Sequence, residues 1–202
     1  MMELNKEQID ILGEIGNISM GNAATTLSVM LNQRVDITTP QAEIIGRSAA
    51  LDDYEKTCIF VQIHYIKGLT GNNVLILQEE DVLKMTSLMM GGDGINIDPE
   101  VTDLHLSAAS EAMNQMMGTS ATSMATMLGT ETDISTPEVN RIDVESVKLF
   151  EKMFESQEDK FLKISFRLEV GEDLIDSTMV QLYPLDVAKQ MVTLFQKNKN
   201  EE

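Results

Sequence analysis

The sequence has few of the residues that build covalent or metal-based frameworks. Cys58 is the single cysteine among 202 residues, and His64 and His105 are the two histidines. One thiol cannot form an internal disulfide or a thiolate cluster, and neither histidine has a neighbour at ligand spacing. We therefore expect a chain from a reducing compartment, the cytoplasm, with no metal or cofactor of its own.

Basic residues are also scarce. Lys and Arg number 15 against 33 Asp and Glu, which gives a formal net charge of −18. Such a surface repels phosphate backbones, so nucleic acid is not an expected partner. No run approaches the roughly 18 apolar residues of a membrane span, and the N-terminus lacks the apolar core of a signal peptide. We expect no direct membrane insertion.

The chain contains an internal repeat. Residues 14–40 align without a gap on residues 111–137, and 12 of the 27 aligned positions are identical. The ends of the two halves also correspond, since an apolar strand runs into a helix near Asp81 and again near Asp186. We therefore predict one domain over residues 1–202, built of two repeats at about 5–95 and 102–197.

Hydrophobic periodicity predicts similar elements in both halves. The first half is predicted to contain a helix from about Asn5 to Asn32, strands at 35–40, 57–66 and 73–77, and a helix over 79–90. Asn5 and Gln8 are predicted to form a capping box at the start of the first helix. The second is predicted to contain a helix over 102–128, strands near 132–137, 161–170 and 177–183, and a helix over 185–197. The predicted class is α+β: a pseudo-twofold duplicated unit in which an antiparallel sheet packs with two long helices and shorter helices.

Each long helix carries a carboxylate and a carboxamide three residues apart. Glu14 and Asn17 share one helix face, as do Glu111 and Asn114. Small residues are expected to continue these two polar strips: Gly21 and Ala24 in the first, Gly118 and Ala121 in the second. Such a Glu/Asn pair is often only solvated surface, and duplication alone repeats structural residues too. A carboxamide can nevertheless hold a water in line with a phosphoryl group, and a carboxylate can pair with a partner's lysine. No nucleophile elbow, P-loop or dinucleotide fingerprint offers another chemistry.

The spacing around these pairs resembles the motif of the CheC/FliY family of chemotaxis phosphatases. That motif is Asp or Ser, three residues, Glu, two residues, Asn, then 22 residues and Pro. Two copies are present: Asp10, Glu14, Asn17 and Pro40 form the first, and Ser107, Glu111, Asn114 and Pro137 form the second. The resemblance covers nearly the whole chain.

The resemblance implies a function. The substrate would be phosphorylated CheY, a response regulator whose aspartyl phosphate is hydrolysed at two equivalent sites. Asn17 and Asn114 would orient the attacking water, and Glu14 and Glu111 would pair with the regulator's lysine. The protein would need no cofactor of its own, because Mg²⁺ would be held by CheY. It would belong to the flagellar motor switch, with FliM, FliG and FliN-like domains as further partners, at the cytoplasmic face of the flagellar basal body.

Other functions stay open at this point. The FliY proteins of this family usually carry an N-terminal CheY-binding peptide and a C-terminal FliN-like domain, and we do not expect either within these 202 residues. The sequence is therefore either a central domain or a stand-alone CheC-type phosphatase that partners the deamidase CheD. A non-catalytic scaffold that only binds CheY is a further alternative.

Overall fold

The computed structural model describes residues 3–50, 52, 54, 57–143 and 159–201. Within them lie four helices, α1 (Lys6–Leu31), α2 (Glu79–Met89), α3 (Asp103–Leu128) and α4 (Leu185–Glu201). The strands are β1 (Val35–Gly46), β2 (Thr57–Lys67), β3 (Gly71–Gln78), β4 (Asp133–Ile134), β5 (Glu138–Asp143), β6 (Lys160–Val170) and β7 (Ile175–Pro184). A short 3-10 turn follows β1 at Arg47–Ala49.

All seven strands form one sheet in the order β1-β6-β7-β3-β2-β4, and β5 also pairs with β2. Every pairing between these strands is antiparallel. The predicted α+β class with an antiparallel sheet is therefore confirmed. The predicted division into two repeats stays a prediction, and its second unit spans residues 144–158, which lie outside the described residues.

The sheet buries both of its faces. In β2, Ile59, Val61 and Ile63 belong to the core beneath the helices, whereas Cys58 and Phe60 belong to a second cluster on the opposite face. This division follows from the period of two along a strand, which sends alternate side chains to opposite faces. The helices therefore cover one face of the sheet. The side of α1 and α3 that points away from the sheet is exposed to solvent.

The two long helices begin and end in comparable ways. The Asn5 side chain accepts from the Gln8 backbone N–H at 2.9 Å, and Gln8 accepts in return from Asn5, as predicted. At α3, the Thr102 backbone N–H donates to Nδ1 of His105 at 2.9 Å. Asn32 and Gly129 then end the helices in the left-handed conformation, with φ values of 50° and 64°.

The structure corrects several predicted boundaries. The strand predicted at 35–40 continues to Gly46, because a one-residue bulge between Thr38 and Gln41 accommodates Pro40, which has no N–H to donate. The strand predicted at 132–137 is only the two-residue β4, and the sequence analysis missed β5, Glu138–Asp143. The last helix continues beyond 197 to Glu201.

None of the described helices combines the length and hydropathy that a membrane span requires.

Candidate functional site

Helix α1 presents the first predicted group of residues to solvent. Asp10, Glu14 and Asn17 are all exposed, whereas Leu12 and Ile15 between them are fully buried. This follows from the amphipathic pattern, since the apolar side packs on the sheet and the polar strip occupies the opposite side. Within the described structure, neither the Glu14 carboxylate nor the Asn17 carboxamide has a hydrogen-bond partner. Both groups are free to meet another molecule.

Helix α3 presents the second group with one difference. Ser107 and Glu111 are exposed, and Asn114 is half-buried. Here the Glu111 carboxylate accepts a hydrogen bond from Nε2 of Gln115, one turn further along the helix, at 2.7 Å. The corresponding position on α1, 97 residues earlier, is Ile18, which cannot donate such a bond.

The motif prolines lie beside the helix turns that carry the glutamates. The Ser110 hydroxyl donates to the Pro137 carbonyl oxygen at 3.4 Å, and Ser110 directly precedes Glu111. On α1 the equivalent residue is Gly13, where an added Cβ would lie 3.7 Å from Cβ of Ala42, two residues after Pro40. Pro137 therefore supports the helix turn that carries Glu111, and the part of β1 that follows Pro40 packs beside the turn that precedes Glu14.

Two hydrogen bonds join α1 directly to α3. Nδ2 of Asn22 donates to Oγ of Ser123 at 2.8 Å, and the hydroxyls of Thr26 and Thr119 are 2.7 Å apart. When the two repeats are aligned 97 residues apart, Asn22 corresponds to Thr119 and Thr26 to Ser123. The two hydrogen bonds therefore join equivalent positions of the two repeats. The sequence analysis missed these four residues, although the polar type recurring at both aligned positions was a usable signal.

The same two contacts show that the helices run antiparallel. Position 22 faces 123 and position 26 faces 119, so Asn114 lies at the level of residue 31 on α1. At 1.5 Å per residue, the Asn17 and Asn114 turns are separated by roughly 21 Å along the helix pair. The predicted site residues therefore lie in two separate groups on one helical layer, the first and the second candidate site.

Small residues after each asparagine divide into two groups. Gly21 and Gly118 are open, with no atom within 4 Å of where an added Cβ would stand. Ala24 and Ala121 are only 4% exposed, so they face the core and do not extend the polar strip as the sequence analysis proposed.

A shallow groove lies between the helices next to the first site. Its volume is about 480 Å³, and its lining includes Ile18, Asn22, Thr122, Thr126 and Met127. Ile18 follows Asn17 directly and is 40% exposed. The first site is thus continuous with a partly apolar surface.

The histidines lie elsewhere. His64 is exposed on β2, and His105 is buried, with Nε2 2.9 Å from the Asp98 carboxylate. In the described part of the chain, no three His, Cys, Asp or Glu side chains are grouped in a way that could hold a metal ion.

The family model described as "CheC-like family" matches residues 7–44 and 104–141. These two segments are offset by 97 residues and contain both copies of the motif. The crystal structure of FliY from Thermotoga maritima superposes with a TM-score of 0.89 at 37% identity, covering 97% of this chain and 99% of that one. The chain therefore belongs to the CheC-like family.

Two curated relatives carry functional names. The flagellar motor switch phosphatase FliY of Bacillus subtilis is 42% identical over 200 residues, which is 99% of this chain and 52% of that protein. The CheY-P phosphatase CheC of the same organism is 25% identical over 68% of each chain. The present chain thus spans about half the length of the FliY protein that it matches.

The fold is also shared with a more distant switch protein. A FliG–FliM complex from H. pylori contains a chain with a TM-score of 0.74 at 16% identity, covering 94% of this chain and all of that one. At this level of identity the likeness concerns the fold alone.

Proposed function

We propose that the chain accelerates hydrolysis of the aspartyl phosphate of the response regulator CheY, as part of the flagellar motor switch. The observation that carries this proposal is the presentation of two Glu/Asn pairs on the solvent side of α1 and α3, each at the family motif spacing. The names of the two B. subtilis relatives give the same chemistry.

Each residue of a pair has a distinct task in this proposal. Asn17 or Asn114 enters the active site of CheY, where its carboxamide accepts from and donates to the attacking water and aligns it with the phosphorus. Glu14 or Glu111 pairs with a lysine of CheY and fixes the docking position. Phosphoryl transfer needs mainly positioning and charge stabilisation, and the Mg²⁺ held by CheY supplies the latter. The chain itself then needs no cofactor.

The location follows from the same assignment. We place the protein in the cytoplasm, at the cytoplasmic face of the flagellar basal body, with FliM, FliG and FliN-like domains as neighbours. The name of the B. subtilis FliY relative, a flagellar motor switch phosphatase, supports this choice of partners. Capture of CheD but none of the switch proteins by the purified chain would instead support a CheC-type role.

The test is the decay of radiolabelled phospho-CheY in the presence of Mg²⁺. We expect Asn17→Ala and Asn114→Ala each to retain activity, because the other site stays intact, and the double variant to lose it. The loss should approach the whole acceleration, since a positioned water contributes up to several powers of ten in rate. Circular dichroism should match the unaltered protein and thermal unfolding should occur at an equal or slightly higher temperature, because both carboxamides lack partners in the described structure and alanine is the better helix former.

A binding measurement with phospho-CheY distinguishes a phosphatase from a scaffold that only binds it. A double Asn variant that binds phospho-CheY but leaves its phosphate lifetime unchanged fits the proposal. If the unaltered protein binds phospho-CheY without shortening that lifetime, the chain is a scaffold and the proposal is wrong.

A further inference from the structure

The two Glu/Asn pairs differ in one contact that bears on docking. Glu111 is held by Gln115 at 2.7 Å, whereas Glu14 has no partner in the described structure. A carboxylate that pairs with a partner's lysine must first give up any bond to its own helix. Side-chain pairs at this spacing contribute a few tenths of a kcal/mol, which corresponds to about a twofold effect on docking. Docking at Glu14 avoids this cost.

Ile18 and Gln115, which occupy equivalent positions, also give the two asparagines different neighbouring surfaces. Ile18, next to Asn17, is 40% exposed and lines the groove between α1 and α3. A partner that covers Ile18 removes apolar surface from water, which is favourable. Gln115, next to Asn114, offers a polar side chain that is already engaged with Glu111.

The carboxamides differ in the same direction. Asn17 is exposed and Asn114 is half-buried, so a partner reaches the first with less rearrangement. Three features therefore favour the same site: a free glutamate, an apolar neighbour and a more accessible asparagine.

We propose that the two sites are unequal, that phosphorylated CheY engages the α1 site in preference to the α3 site, and that positions 18 and 115 set this preference. The inference rests on the proposed function. Ile18 acts as a docking contact. Gln115 acts as a positioning residue, because it works through Glu111.

Proteins with one intact site test the inference in the full 202-residue chain. Glu111→Ala together with Asn114→Ala leaves only the α1 site, and Glu14→Ala together with Asn17→Ala leaves only the α3 site, so that the altered site loses both its docking contact and its carboxamide. With phospho-CheY as substrate, we expect kcat/KM to be about three- to tenfold higher for the α1 site, from the released carboxylate and the buried apolar contact together. Most of the difference should lie in KM, since neither position 18 nor position 115 touches the reacting phosphoryl group.

Exchanging the two residues should move the preference. In the protein with only the α3 site, Gln115→Ala should lower KM about twofold by freeing Glu111, and Gln115→Ile should lower it further. Gln115→Lys should raise KM, because an ammonium group holds the glutamate more firmly. In the protein with only the α1 site, Ile18→Gln should raise KM. Ile66→Gln, an exposed apolar residue of β2 away from both helices, is the matched control and should change neither constant.

The outcomes are distinguishable. If the unaltered chain does not accelerate phosphate loss, both the proposed function and this inference are wrong. If it does, but the single-site proteins are equal or the α3 site is the better one, the inference alone is wrong. A Gln115 series that changes kcat but leaves KM constant would also overturn the assigned positioning role.

Discussion

At the scale of single residues, the glycines of the long helices are of two kinds: one is required for packing against the sheet, and the others meet no neighbouring atom. Gly16 is buried, and a Cβ there would stand 3.2 Å from Cζ of Phe166 and 3.3 Å from Cδ1 of Ile164. That glycine is needed for the close packing of α1 on β6. Gly21 and Gly118 have no such neighbour, yet each costs helix stability relative to alanine.

This contrast predicts opposite effects of the same substitution. Gly21→Ala and Gly118→Ala should each stabilise the fold by about 1 kcal/mol, since they restrict the unfolded chain and meet no atom within 4 Å. Gly16→Ala should destabilise it, because the core side chains must shift. Urea unfolding monitored by circular dichroism gives all three values. Destabilisation by Gly21→Ala would show that the glycine has a packing role within the chain.

Residue-level reading of the sequence was sufficient for the Glu/Asn pairs and for the Asn5 capping box, because spacing along a helix determines both. The Gln115–Glu111 bond could also have been predicted, since the residues are four apart. The contacts of Asn22 and Thr26 with α3 could not, because they depend on how two distant helices cross. The mistaken placement of Ala24 arose from reading the polar strip as wider than it is.

At the scale of elements, the structure shows how each helix is attached to the sheet. Asp81, in the first turn of α2, is buried against β7. Its carboxylate accepts a hydrogen bond from the Ser177 hydroxyl. Burial raises the pKa of Asp81 above its ordinary value, and the bond from Ser177 offsets this only in part. The charged carboxylate is therefore a local cost at neutral pH.

Because the pKa of Asp81 is raised, we predict that replacing Asp81 by a neutral residue stabilises the fold, and that this stabilisation depends on pH. Because the folded-state pKa is raised, the stability associated with Asp81 is complete below its unfolded pKa and is lost as the pH rises through the folded value. Asp81→Asn keeps an acceptor for Ser177 and should unfold at a higher temperature than the unaltered protein at pH 7. The difference should shrink as the pH falls towards about 4. Thermal unfolding across this range measures it.

Asp186→Asn is the control for this prediction. Asp186 occupies the first turn of α4 in the same way but is exposed, and its carboxylate accepts from the Val187 N–H at 2.9 Å. Its substitution should give no gain at pH 7. A loss of stability in Asp81→Asn at pH 7 would contradict the assignment.

Elements of the fold differed in how well the sequence predicted them. The helices were predicted closely, because their periodicity and caps are local signals. Strand β5 was missed because its six residues, EVNRID, include two apolar side chains, Val139 and Ile142, which are three residues apart and so do not show the period of two of a half-buried strand. Its place in the sheet depends on its pairing with β2. The central pairing of β3 with β7 joins the two halves of the chain, and no local pattern encodes it.

At the scale of the whole molecule, the antiparallel helices set the distance between the sites. The Asn17 and Asn114 turns are roughly 21 Å apart along the helix layer. A compact partner domain of about 100 residues has a radius of gyration near 13 Å and hence a diameter of roughly 34 Å. Two such domains centred on the two sites would overlap.

We therefore predict that one chain binds one phospho-CheY at a time. Titration calorimetry with CheY held in its activated form by a phosphate mimic should give a stoichiometry of one for the unaltered protein. It should also give one for Asn17→Ala and for Asn114→Ala, because the overlap of two docked partners does not depend on the carboxamides. A stoichiometry of two for the unaltered protein would mean that the partners tilt away from each other.

The antiparallel pairing of α1 and α3, and the separation of the sites that it determines, thus affect the kinetics of the protein. If the two sites exclude each other, duplication enlarges the target that a diffusing regulator can strike without adding a second simultaneous turnover. The benefit would be greatest when phosphorylated regulator is scarce and would vanish at saturation. Under the proposed function, such a molecule would shorten the lifetime of the regulator's phosphate most strongly once little phosphorylated regulator is left.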